Sequence, residues 1–343
     1  MNILVIGCGQ IGSRHIQSLA TARYGLTLFA SDKSNDSLQK TQVIFDETKD
    51  KHKDTKLIIT KNIAEITVDL DVVIIASNSR ERAKLIKIVL GNFSPKHIIL
   101  EKVLFNKLTD YQYFDNIFEK INTKVWVNQY MGYEFSFLPK HFNADEKFHM
   151  KVSGNWGLCC NSVHFIEIFH HLCGRIPLKL KDCTLRNEYK KSKRDGYYEL
   201  FGAVNIGSSQ SHKLTLECNP EEPELIKNIE IISGSRKLKD VWVDEYHNCN
   251  IIEKDGKTSS ERHYSRRQSE RTLEIVNSLM ENGSCDLPSY HYSSYHHLLI
   301  LDQFKKKFFD LGIDVTNEIP VTQIILTLLI MLMLYRNHKW MLQ

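Results

Sequence analysis

The sequence predicts an α/β protein whose first part is a doubly wound parallel sheet and whose second part is built on an open-faced, mainly antiparallel sheet. Three observations carry that prediction. A strand runs straight into a glycine-rich turn at the N-terminus, apolar strands then alternate with amphipathic helices to about residue 125, and beyond Tyr130 the pattern changes to strands with little helix. Alternation of the first kind is how a parallel sheet covered on both faces is written.

The opening residues, MNILVIGCGQIGSR, place the apolar strand Ile3 to Ile6 directly before Gly7-Cys8-Gly9-Gln10-Ile11-Gly12, and a helix is predicted from Ser13 to Thr21. The second strand, Leu26 to Ser31, ends on Asp32, twenty positions after Gly12. A strand, three spaced glycines, a helix and a following acid together make a dinucleotide site. Gly7 permits a tight turn, Gly9 lets bare backbone approach a pyrophosphate, and Gly12 lets the helix pack close to the strand. Gln10 and Ile11 lie between them at the helix start. The unpaired N–H groups there favour an anion without help from a lysine. A carboxylate at Asp32 accepts ribose hydroxyls and would repel a 2'-phosphate, so the expected cofactor is NAD, with NADP left open by the neighbouring Lys33.

The remaining strands of the first part are Lys56 to Thr60, Leu70 to Ala76, Lys96 to Leu100 and Lys124 to Asn128, with a helix over Arg80 to Val89. In the second part, Phe148 to Ser153, Lys213 to Cys218, Asn228 to Ile232 and Lys239 to Val243 read as strands, and Ser162 to Cys173 as a helix. Their alternation indicates a sheet buried on one face, the other being free for substrate or a second subunit. Two late helices, Glu270 to Met280 and Ser294 to Phe309, are separated by the Leu287-Pro288 turn. Helices so placed often return to the first domain. The expected organisation is therefore 1–125, 126–322, and an apolar tail of uncertain role over 323–343.

A chain of 343 residues has room for two cores, and a net charge of +4 leaves no nucleic-acid footprint. The basic run Lys190-Lys191-Ser192-Lys193-Arg194 reads as a solvated loop. Eight cysteines without a C-x-x-C pair or metal-type spacing suggest a reducing compartment and no metal. With a strand beginning at residue 2 no secretion signal is expected, which points to the cytoplasm. The run Ile324 to Tyr335 holds twelve nearly all-apolar residues, short of the roughly 20 needed to span a bilayer, and reads as a helix buried in a core or interface, with a membrane-surface anchor or a tail without a defined place in the fold as alternatives.

Glu101-Lys102 follows the fifth strand directly, where residues face the cofactor crevice of such a sheet. A lysine there can donate a hydrogen bond to an alcohol or carbonyl oxygen. His164 lies where a loop enters a helix, and histidine suits proton transfer near neutral pH. His170, His171, His296 and His297 read as structural.

These features resemble the Gfo/Idh/MocA oxidoreductase family, the relatives of glucose-fructose oxidoreductase and inositol dehydrogenase. The resemblance rests on the glycine loop with Arg14-His15, Ala76-Ser77-Asn78 after the fourth strand, Glu101-Lys102, and Asn161-x-x-His164-Phe165-Ile166-Glu167. It implies a Rossmann domain plus an open-faced sheet domain, and NAD(P)-dependent oxidation or reduction of a sugar carbon. Lys102 and His164 inherit the catalytic roles, Ser77, Asn78 and Glu101 lie on the cofactor side, Glu101 with a structural role as alternative, and Lys102, Asn161 and His164 meet the substrate. Two positions depart from the family pattern. Val103 stands where proline is usual, and Cys160 where an aspartate is usual, so His164 lacks that partner and Asn161 is left to bond a sugar hydroxyl. Asn155-Trp156-Gly157 with the Asn-Ser-x-His pattern resembles a branch associated with bacterial surface-polysaccharide synthesis, which implies a sugar or nucleotide-sugar substrate. A homo-oligomer, dimer or tetramer, is expected through the open sheet face. The departures keep two other readings open: a silent dinucleotide-binding sensor or scaffold, and an epimerase or eliminase using tightly bound NAD.

Overall fold

The computed structural model describes residues 1–49, 54–135, 137–142, 145–192, 194–224, 227–243, 246–264 and 266–322. The first part runs β1 (Asn2–Ile6), α1 (Gln10–Ala20), β2 (Thr27–Ser31), α2 (Asn35–Thr48), β3 (Lys56–Thr60), β4 (Val72–Ile75), α3 (Ser79–Asn92), β5 (His97–Leu100), α4 (Leu108–Phe118) and β6 (Lys124–Val127). The six strands form one sheet in the order β3-β2-β1-β4-β5-β6, every pair parallel. The order reverses between β1 and β4, and ligands bind outside the carboxyl ends of strands at such a point. β6 runs to Val127, slightly beyond the expected boundary near 125.

The second part contains α5 (Met131–Glu134), β7 (His149–Gly154), α6 (Leu158–Leu172), β8 (Leu178–Lys191), β9 (Tyr198–Ser208), β10 (Lys213–Cys218), β11 (Lys227–Ser233), β12 (Arg236–Val243), β13 (Tyr246–Ile252), β14 (Thr258–Tyr264), α7 (Gln268–Asn282) and α8 (Tyr290–Asp310). Among the described residues its eight strands are ordered β14-β13-β12-β11-β7-β10-β9-β8, and only β7 and β10 pair in parallel. This is the expected mainly antiparallel sheet.

Strand alternation decides its two faces. Met150, Val152, Leu214, Leu216, Ile229 and Ile231 are buried in one cluster with Phe165 and Phe169 of α6. The face away from α6 is polar: His149 Nε2 lies 2.9 Å from Thr215 Oγ1, Thr215 donates to Asn205 at 2.8 Å, and Lys151 pairs with Glu217 at 2.7 Å. The expectation of an apolar-alternating surface available for association is corrected here. A strand with period two has one apolar side, and α6 has used it. Ile232 and Ile252, both about two-fifths exposed and in register through Lys237, are apolar residues left on the open face.

Three further points differ from or refine the sequence reading. α6 begins at Leu158, four residues before the expected start, which puts Cys160 and Asn161 in its first turn. Lys190 and Lys191 end the long strand β8 and are not part of a loop. α7 does return to the first part: Leu273 N–H donates to Ser18 Oγ at 3.0 Å, and Val276 and Leu279 share a core with Ile16 and Leu19 of α1. The 324–335 run lies outside the described residues. Among the described residues no helix is long and apolar enough to cross a membrane.

Candidate active site

The glycine loop is built as its spacing requires. Gly7 has φ +91, and a Cβ there would lie 2.9 Å from Ser77 N. A Cβ on Gly12 would lie 1.8 Å from Gly7 O, so any side chain would force β1 and α1 apart. A Cβ on Gly9 meets nothing within 4 Å. Gly9 is also the N-cap of α1 and offers no side-chain cap, which leaves the helix N–H groups open above it. Gln10 and Ile11, half-buried, form the first turn. The carboxylate of Asp32 accepts the Cys8 N–H at 2.7 Å and the Ser34 N–H at 2.8 Å, tying the loop to the end of β2. Each oxygen keeps a further lone pair, and the residue is only half-buried, so it can still accept hydroxyls from a ribose. Open space over Gly9, free helix N–H groups and an accessible carboxylate fit a dinucleotide.

Ser77 and Asn78 lie beside this loop at the carboxyl end of β4. Asn78 caps α3, its Oδ1 accepting the Glu81 N–H at 3.1 Å. Ser77 presents its carbonyl to Arg82, a residue that the sequence reading left on an ordinary helix. Arg82 is 1 % exposed and donates to the carbonyls of Ser77, Val103 and Leu104, the last at 2.7 Å. Burial pushes its guanidinium down to about 10, against the opposing pull of the Glu101 carboxylate. It clamps the loop after β4 to the loop after β5. Nothing in the local pattern separates such an arginine from the exposed Arg80 two positions earlier.

Glu101 is 1 % exposed. His15 Nε2 lies 3.1 Å from its Oε1, and Asn128 donates to the same oxygen. Burial alone would raise its pKa, but the bonds and charge of His15, the Asn128 amide and Arg82 hold it below the usual range. These bonds tie α1 to the residue after β6. The Lys102–Val103 peptide is cis. His297 supports the same loop, with Nε2 accepting the Leu104 N–H at 3.2 Å and Nδ1 donating to Ser293 O at 2.7 Å, which fixes the neutral tautomer.

Lys102 is 4 % exposed and crosses to the first turn of α6, donating to Cys160 O at 2.9 Å and Asn161 Oδ1 at 2.7 Å. Asn161 in turn donates to Trp156 O. The Asn161 amide thus makes one bond at each end, its oxygen to Lys102 and its nitrogen to Trp156 O, with a lone pair and a donor hydrogen remaining. His164 follows one turn later on α6, 2 % exposed, with its ring edge-on to Tyr130 at 4.9 Å and its Nδ1 without a hydrogen-bond partner. Burial, then the charges of Lys102, Lys227 and Arg271, hold its pKa well below 6.5, so the ring is neutral. Burial likewise lowers the Lys102 amine, opposed by Cys160, Glu101 and Glu199.

Two charged residues at this site escaped the sequence reading. Lys227 begins β11 on the α6 side of the sheet, and burial with the charge of Lys102 pushes its amine down to about 8. Glu199, 5 % exposed on β9, accepts the Cys159 N–H at 2.7 Å. Both sit in strands whose alternation is apolar, and single charges in such strands carry no spacing signal.

Comparison with known proteins agrees with this geometry. Residues 1–129 match the model of the Gfo/Idh/MocA oxidoreductase family, NAD-binding Rossmann fold. No curated protein sequence matches the chain. Among solved structures, the chain is similar to UDP-N-acetylglucosamine 3-dehydrogenase GnnA from Acidithiobacillus ferrooxidans, at 9 % identity and a TM-score of 0.66 over 88 % of this chain and 96 % of that one. It is similar to the 3-ketoreductase KijD10 from Actinomadura kijaniata, a variant of which was solved with TDP-benzene and NADP, at 15 % identity and 0.63 over 87 % and 95 %. An Agrobacterium radiobacter oxidoreductase in complex with NAD+, L-tartaric acid and magnesium shares 12 % identity at 0.62 over 87 % and 94 %. At these identities the likeness is one of fold.

Proposed function

We propose that this chain, an NAD(P)-binding oxidoreductase of the Gfo/Idh/MocA family by its first 129 residues, oxidises or reduces a carbon of a sugar or nucleotide-linked sugar, in surface-glycan biosynthesis in the cytoplasm. The observation that carries the reading is the bridge from Lys102, at the carboxyl end of β5, to Asn161 at the head of α6, with His164 one turn on. It gathers a cation and a neutral imidazole beside the glycine loop's side of the sheet. Two of the similar structures bear names with nucleotide-sugar or 3-keto chemistry, which favours that substrate class.

Gly7, Gly9, Gln10, Ile11 and Gly12 would hold the pyrophosphate and Asp32 the adenosine ribose. Ser77 and Asn78 would line the nicotinamide side. Bound nicotinamide supplies or accepts the hydride. Lys102 donates a hydrogen bond to the substrate oxygen and favours the charge that develops there. His164, neutral, takes the hydroxyl proton in oxidation and returns it in reduction. Residues 1–125 act as the cofactor domain and 126–322 as the substrate and oligomerisation domain, with α7 packed back on α1.

The test is a screen of nucleotide sugars with NADH and NADPH, run on the natural protein and on Lys102→Ala. Turnover that vanishes in the variant while cofactor binding persists is the expected result; equal turnover removes Lys102 from the chemistry. A silent dinucleotide-binding protein is the second reading, favoured by the unpaired Nδ1 of His164 and by cysteine at position 160. It expects NADH binding with no turnover of any sugar. Light scattering decides the proposed dimer or tetramer.

A further inference from the structure

The first turn of α6 is held from two sides by opposite charges. On one side, Lys102 donates to Cys160 O and Asn161 Oδ1. On the other, Glu199 reaches in from β9 and accepts the Cys159 N–H at 2.7 Å, with further hydrogen bonds from the backbone and side chain of Cys160. The N-cap of α6 is Gly157, which has no side chain to serve the turn, so the carboxyl does this from a different strand. Glu101, the other carboxylate near Lys102, is bonded to His15 and Asn128 and faces Arg82. Glu199 is therefore the carboxyl that the second part of the chain contributes to the lysine.

The charged and titratable groups around the pair are few. Lys102 feels Glu101 from its own loop, Cys160 and His164 from α6, Glu199 from β9, Arg194 from the turn before β9, Lys227 from β11 and His297 from α8. Glu199 faces Cys159 and Cys160 on α6, Lys102, and Cys218 on β10. Lys102, Lys227 and Arg194 are three cations in one buried region, and Glu101 and Glu199 are the acids that answer them. A carboxyl removed from water binds its proton more tightly, and burial pushes the Glu199 carboxyl up to about 7 against the opposing pull of the Cys159 and Cys160 hydrogen bonds and the Lys102 charge.

We infer that Glu199 is a positioning residue for Lys102: from β9 it fixes the α6 turn that aims the amine, and its ionised carboxylate keeps that amine protonated. The inference rests on Lys102 acting at the substrate oxygen, but the coupling between the two groups exists with or without turnover.

The test uses Glu199→Gln, whose side-chain oxygen still accepts the Cys159 N–H, so the helix cap is retained while the charge is removed. The readout is the titration of the Lys102 amine, followed by NMR of 13Cε-labelled lysine and assigned by its loss in Lys102→Arg. In the full chain, Glu199→Gln is expected to lower the Lys102 midpoint by about one pH unit, a tenfold weaker proton affinity, with NADH binding unchanged. An unchanged midpoint in a variant that still binds NADH makes Glu199 a helix cap only and overturns the inference. Should the variant fail to fold, the natural protein decides. Its Lys102 resonance is expected to move in a first small step near neutral pH, where the carboxyl titrates, and again where the amine itself titrates; a single step overturns the coupling. Failure of the oxidoreductase reading looks different: the natural protein would then turn over no sugar with NADH or NADPH, whatever Glu199→Gln does to the amine.

Discussion

Lys102 Nζ donates to Asn161 Oδ1 at 2.7 Å across 59 residues of sequence, and with its bond to Cys160 O at 2.9 Å it joins the carboxyl end of the parallel sheet to the head of α6. Breaking the bond to Asn161 from either end has distinct consequences. Lys102→Ala removes the cation at the substrate oxygen, and turnover is expected to fall by about 10²- to 10⁴-fold with NADH affinity nearly unchanged. Asn161→Ala leaves the amine but not its aim, and a drop of roughly tenfold in kcat is expected. Steady-state kinetics with fluorescence titration of NADH separates the two.

Gly9 and Gly12 make opposite demands on a methyl group. Gly12→Ala sets a Cβ 1.8 Å from Gly7 O, so backbone must shift, and both thermal stability and NADH affinity should fall. Gly9→Ala meets open space in the protein, and stability should change by less than about 1 kcal/mol. The added methyl occupies the cradle where pyrophosphate would lie, and an affinity loss of at least about tenfold, near 1.4 kcal/mol, is expected. Melting temperature measured beside NADH binding tests the contrast; a Gly9→Ala protein that binds normally would place the dinucleotide elsewhere.

Arg82 holds three carbonyls in the loops flanking the crevice. Arg82→Met fills similar space but leaves the carbonyls of Ser77, Val103 and Leu104 without that donor, at an expected cost of about 3 kcal/mol or more. Urea unfolding gives the number directly. A loss below about 1 kcal/mol would mean that water replaces the guanidinium there.

Glu199 gives stability a pH dependence with a definite sign. Its folded carboxyl titrates at about 7, above the unfolded 4.5, so the folded state binds the extra proton between those values. Stability from this group is full below the unfolded pKa and is lost as pH rises through the window from 4.5 to about 7. Glu199→Gln removes that loss. Relative to the natural protein, the variant should therefore gain stability between pH 5 and pH 8, by an amount on the order of 3 kcal/mol. Parallel denaturation curves across the range check this, and a constant offset between the two proteins would rule it out.

Histidine 297 carries the opposite sign. Burial holds its pKa down at about 3, and its Nε2 accepts the Leu104 N–H only while neutral. Its contribution is present above the unfolded value of 6.5 and is lost as pH falls toward 3. His297→Gln should flatten acid unfolding over that interval, as read by circular dichroism.

By itself the sequence determined what depends on neighbours along the chain. The glycine loop, the run of parallel strands, the alternation of the second sheet and the position of Lys102 after β5 follow from hydropathy period, turn chemistry and strand order, each written within a few residues. Which distant groups meet was decided by the tertiary structure. Period two says that Met150 and Val152 share a face, not that α6 covers it and leaves a polar surface behind. Helical spacing puts Arg82 on α3, not under the carbonyls of Val103 and Leu104. Asn161 was legible as a polar residue near His164, but its bond to Lys102 and the reach of Glu199 from β9 required two sheets to be set against one helix. Burial can be inferred from a pattern because water treats every apolar face alike, whereas a hydrogen bond or ion pair needs two particular atoms brought within about 3 Å, and only the folded chain specifies that.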